Sequence, residues 1–239
     1  MDNIIIFSYK IDPNLDLDTS IEWYEKNILG KYFLKNYSVY YYPFDIKNTN
    51  ELLVLGIEKV VKNHIISTAK KQDYILNDFS VDIFSSNIIA RNLAVKSKSA
   101  NFLLWKILKN NKHFMLYNEL DDHNNEYKCF MSFRINSKKK KIELLSEIGT
   151  ENNKDKIINF INSCIFENKV DEINSFDKVF VYQTKESKIF INKVLNKKKA
   201  NIELLDVSKI FFEDDFSDSK MIDAMGYLEL GNSLKGIDV

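Results

Sequence analysis

DKVFVYQTKESKIFINKVLNKKKANIELLDVSKIFF, residues 177–212, is the stretch on which the fold is decided. Three apolar runs, VFVYQ, KIFINKVL and NIELLDV, are separated by short polar tips rich in lysine. Alternating apolar runs with polar tips predict an antiparallel meander. The same stretch carries Gln183 and Lys185, the first residues to consider for chemistry.

Upstream the texture is similar. YKCFMSFRI and KIELLSEIG flank the tip NSKKK and predict a β-hairpin. FRINSKKKKIELLSE echoes FINKVLNKKKANIELLDV, with Ile142 and Ile202 in matching places. Lysine also suits an exposed tip and protects a sheet edge from aggregation, which explains the echo without a duplication. KDKIINFINSCIFEN places Ile157, Phe160, Ile161 and Cys164 on one helical face. HFMLYNEL reads as a strand between KNNK and DDHNNE, and the boundary is expected there, giving regions 1–112 and 113–239, with one continuous domain as the alternative. In the first region, Ile4–Tyr9 reads as a strand and IEWYEKNILGKYFLK as a helix with Ile21, Tyr24, Ile28 and Tyr32 on one face. YSVYYYPF reads as a strand stopped by Pro43, residues 50–71 as a long amphipathic helix, and residues 87–110 as helical, interrupted near Ser97 and Ser99. SKMIDAMGYLEL predicts a terminal helix behind the acidic EDDFSDS. The expected class is α+β: a helix-rich α/β N-terminal half, then a C-terminal half of antiparallel hairpins and meander with flanking helices.

Composition limits the functions available. Hydrophobic residues make up 45% of the 239 and charged residues 28%, the balance of a folded globular protein. Basic and acidic residues number 34 each, so no global positive field exists for wrapping nucleic acid. The two cysteines, Cys129 and Cys164, form neither a disulfide framework nor a CxxC zinc motif. Six glycines leave no room for GxxxxGK[ST] or GxGxxG, and GxSxG and HExxH are also absent. The start MDNIIIFSYK reads as a strand and not a signal peptide, and no run approaches a membrane span. A cytoplasmic protein with no membrane partner is the expectation. Abundant Asn, Lys and Ile indicate an AT-rich genome, bacterial or phage.

Two positive readings compete. On a strand, residues i and i+2 share a face, so Gln183 and Lys185 project together. With the preceding acids, KVDEINSFDKVFVYQTK resembles the D…[E/Q]xK constellation of restriction-endonuclease-like nucleases. That resemblance implies Mg²⁺ held by Asp171 or Asp177 with Gln183, Lys185 orienting water, and Glu151 or Glu167 as a helical carboxylate. No other cofactor is implied. The leading reading is a non-enzymatic binding or accessory protein of a bacterial, mobile-element, phage or defence system. It acts through sheet edges and charged tips on a protein or nucleic-acid partner. Lys138, Lys139, Lys140, Lys188, Lys197, Lys198 and Lys199 are its candidate phosphate contacts. His64, His113 and His123 are scattered, and a tolerated core-edge or solvated role suits them better than metal ligation.

Overall fold

The computed structural model describes residues 4–44, 50–73, 82–108, 112–120, 125–136, 138–167, 175–183 and 201–205. The chain forms two compact units, 1–79 and 80–239. The division falls at 79/80 and not near residue 112, because residues 82–107 supply a helix and a strand to the second unit's sheet. The strands on either side of residues 109–111 pair antiparallel with each other inside that unit, which is why the loop signal there marks no border.

The first unit is a three-stranded antiparallel sheet with β3 (Glu51–Glu58) between β1 (Ile4–Lys10) and β2 (Tyr37–Phe44). Between β1 and β2 run α1 (Leu17–Tyr24), a π-helical turn (Glu25–Leu29) and α2 (Gly30–Asn36). Asp16 caps α1 through the Thr19 amide at 2.8 Å and hydroxyl at 2.7 Å, and these bonds hold its carboxyl below the usual range. The extra residue of the π turn, then Gly30 at φ 72°, break the expected helical face. Tyr24 is buried, but Ile28 and Tyr32 are thrown outward, and Phe33 takes the inner position against Tyr37 and Phe7.

The long helix expected over 50–71 is half strand. LLVLGI is buried throughout as the central strand β3, and only Lys59–Lys71 form α3. Both faces of β3 are covered, so its apolar residues do not alternate and matched a helical spacing equally well.

The second unit holds α4 (Asp82–Lys96), β4 (Asn101–Ile107), β5 (Lys112–Leu120), β6 (Asn125–Asn136), β7 (Lys141–Gly149), α5 (Glu151–Asn162), β8 (Lys178–Gln183) and β9 (Ile202–Leu204). Strand order is β7-β6-β5-β4-β8-β9. β4 to β7 form an antiparallel meander, whereas β8 pairs parallel to β4 and β9 parallel to β8. The stretch 177–212 is therefore not an antiparallel meander in its described strands. Its first and third apolar runs lie side by side in the same direction, which requires a long crossover between them. The run KIFINKVL lies outside the described residues, as does the expected terminal helix. The echoed IELL segments form opposite edges of one sheet in opposite pairing modes, so they are not one repeated element. The class is α+β, as the sequence implies.

One face of this sheet packs on α5: Leu103, Trp105, Met115, Met131, Phe133, Val179 and Val181 meet Ile157, Phe160, Ile161 and Cys164. The alternate face meets α4 through reciprocal Asn87–Asn118 amide bonds of 3.1 and 2.9 Å and a Phe84–Tyr127 ring contact. No helix of the described residues is long and apolar enough to cross a membrane.

Candidate functional site

Asp177 and Gln183 occupy opposite ends of β8. Six residues of strand separate them by roughly 20 Å, whereas a magnesium ion holds its ligands at about 2 Å. They do not share an ion. Asp177 instead ties strand starts together: its carboxylate accepts the amides of Ala100 at 2.8 Å and Asn101 at 3.2 Å, while its own amide donates to the Asn101 side chain. Its charge serves the backbone at the mouth of β4. Gln183 lies beside Ile107 at the far end of the parallel pair. Asp171 and Lys185 fall outside the described residues, and so do Lys188, Lys197, Lys198 and Lys199. Glu151 is exposed in the first turn of α5 and ion-paired with Lys154 at 3.2 Å. Glu167 closes the π-helical turn after α5. No group of three metal-ligating side chains occurs among the described residues.

Near Asp177 lies a polar cluster that the sequence did not signal. Lys156 of α5 sits 4.5 Å from the Tyr117 ring and 4.7 Å from that of Phe176, and donates to the Tyr117 hydroxyl at 3.0 Å. Tyr117 in turn donates to Glu119 at 2.6 Å, and Glu119 lies 3.6 Å from Lys128. Burial lowers the Lys156 ammonium pKa, while Glu119 and Asp177 partly restore it. Burial, then the bond to Glu119, raises the Tyr117 hydroxyl well above its ordinary range. Each member has a partner in the cluster, and α5 is anchored to the sheet end by it.

Of the histidines, His123 lies outside the described residues, and His64 is exposed on α3 and not at a core edge. His113 is fully buried, stacked on Phe133, with its Nδ1 accepting from the Trp105 indole at 3.2 Å. Burial depresses its pKa to about 4. The Tyr37–Tyr42 run packs its rings on the protein itself: Tyr37 stacks on Phe33, Lys62 lies over Tyr40, and Tyr41 donates to Glu25 at 2.9 Å.

The arrangement best suited to act on another molecule is the β6–β7 hairpin. Lys138, Lys139 and Lys140 form its exposed turn, closed by the Asn136 side-chain Oδ1 accepting from the Lys139 amide at 3.2 Å, with Lys140 in the left-handed region at φ 48°. Lys141 and Arg134 beside them are also exposed. β7 is the sheet's outer strand, paired only with β6 among the described residues. Ser132 pairs with Ser146 but Phe133 with Leu144, so Leu145 is an extra, bulged residue. A bulge sets two residues against one, and here it leaves two successive leucines outside: Leu144 is 45% exposed and Leu145 47%.

Comparison with known proteins bears on the fold. No family model matches the chain, and no curated protein matches it. Among solved structures it is similar to a chain of the PilM–PilN type IV pilus biogenesis complex, at 9% identity and a TM-score of 0.51, covering 99% of this chain and 76% of that one. It also matches the cytoplasmic domain of EpsL, an inner membrane component of the Vibrio cholerae type II secretion system. There the identity is 7% and the TM-score 0.39, over 97% of this chain and 70% of that one.

Proposed function

We propose that this chain is a non-enzymatic, protein-binding component of a larger assembly, acting through the outer edge of β7 and the adjoining lysine tip. The observation that carries the reading is the pair of exposed leucines on a strand edge that is unpaired among the described residues, beside four consecutive exposed lysines. An edge strand offers unpaired backbone donors and acceptors, and proteins normally blunt it or use it. The likeness to a chain of a pilus biogenesis complex supports a role in an assembly. A magnesium-dependent nuclease built on Asp177 draws no such support, because Asp177 is committed to backbone amides and lies a strand's length from Gln183, and the alternative Asp171 lies with Lys185 outside the described residues.

Native co-purification of the tagged chain, paired with incubation of the purified chain with DNA and RNA with and without Mg²⁺, tests the reading. The expected result is a partner protein at fixed ratio and no cleavage. Metal-dependent cleavage lost on Gln183→Ala would overturn it.

A further inference from the structure

We infer that the β7 edge binds an extended partner segment as an added strand, and that the segment carries apolar residues on one face and carboxylates only at the end beside the lysine turn. This rests on the protein-binding reading and names the partner's chemistry. The Leu145 bulge divides β7, leaving Lys141–Leu144 as the regular run next to the turn. Along that run Ile142 and Leu144 share the face of their pairing partners Ile135 and Phe133, which is the face packed on α5. Lys141 and Glu143 point the other way. A strand laid alongside would set apolar side chains next to Ile142 and Leu144. Its end nearest the turn would meet Lys138, Lys139, Lys140 and Lys141, with Arg134 behind them.

The carboxylates nearby offset only part of this charge. Glu143, across from Arg134, accepts from the Asn136 side-chain amide at 3.2 Å, and Glu147 is engaged elsewhere, 3.6 Å from Lys154. Glu143 also sets a rule: the residue facing it carries no acid. Nucleic acid fits the cations but not their surroundings. A single strand needs aromatic faces for its bases, and the rings near this end, His113 and Phe133, are buried. What lies open beside the lysines is leucine and backbone.

The test is fluorescence anisotropy of a short labelled peptide alternating Val with Thr and carrying Glu residues at one end only, titrated with the full chain. Binding is expected, weakened about tenfold or more by Lys139→Glu with Lys140→Glu and comparably by raising salt from about 0.05 to 0.5 M. Binding is also expected to be lost when alternate peptide amides are N-methylated, which removes strand pairing but keeps charge and side chains. Amide exchange at 141–144 should slow in the complex. Equal binding of the N-methylated peptide, tighter binding of the same peptide with Lys in place of Glu or of an oligothymidylate, or no binding would each overturn the inference. The charge-reversed residues are exposed, so the fold is retained. If the peptide fails while a partner still co-purifies, the binding mode is wrong and the protein-binding reading stands; if both fail, the reading falls with it.

Discussion

Replacing His113 by glutamine isolates one buried proton equilibrium in the second unit. The His113 side chain is wholly inside, between the Trp105 indole and the Phe133 ring. Because Nδ1 accepts from the indole, the ring's proton sits on Nε2 in the neutral form. Burial lowers its pKa from 6.5 to about 4. The unfolded chain therefore binds the proton first as pH falls. Stability from this group is complete above pH 6.5, drains away between 6.5 and 4, and is level below. One pKa unit corresponds to about 1.4 kcal/mol, so some 3 kcal/mol is lost by pH 4. Glutamine can still accept from Trp105 but does not titrate. The two tryptophans are Trp23 and Trp105; in a Trp23→Phe background, Trp105 fluorescence follows the second unit alone. Urea unfolding from pH 7.5 to 4 should show the native histidine protein losing about 3 kcal/mol more than His113→Gln. Parallel loss in both proteins would refute the reasoning, since carboxylates common to both would then account for the whole slope.

Other consequences follow from single contacts. Gly149 has φ 128°, and a Cβ there would lie 2.7 Å from the Lys128 carbonyl oxygen and 3.0 Å from the Cys129 Cα. Gly149→Ala should lower the stability of the second unit by about 3 kcal/mol or more by denaturant midpoint. At Gly30 nothing lies within 4 Å of a Cβ, but φ 72° with ψ 166° is backbone that only glycine favours, so the same change should cost about 1–3 kcal/mol of backbone strain alone. Asp177→Ala removes the acceptor for two amides and should cost about 1–2 kcal/mol of thermal or urea stability, with no loss of partner binding. Lys156→Ala should destabilise by about 1–2 kcal/mol through its two ring contacts, read in the same urea assay.

Elements with one buried face were legible before the structure. α5 showed its core residues at Ile157, Phe160, Ile161 and Cys164, all of which pack on the sheet. The β6–β7 hairpin was legible from a lysine tip between two strand-like runs. β3 and β4 were not. They lie inside their sheets, so LLVLGI and NFLLWKI are apolar on both faces and carry no period that separates strand from helix. Strand direction was equally hidden: VFVYQ and NIELL look the same whether paired parallel or antiparallel, and only the crossover distinguishes them. At the site, the lysine tip was visible in the sequence, but the bulge that exposes Leu144 and Leu145 depends on how β7 registers against β6. Asp177 misled for a related reason. An acid before a strand looks alike whether it holds a metal or two backbone amides.

The most direct measurement is site-specific photo-cross-linking in the native cell, with a photoreactive amino acid at Leu145. The account predicts one discrete cross-linked protein, joined through an acidic extended segment and lost on Lys139→Glu with Lys140→Glu, while the same probe at exposed Val60 of α3 gives none. Cross-links to nucleic acid, or none at Leu145 while Val60 captures a partner, would contradict it.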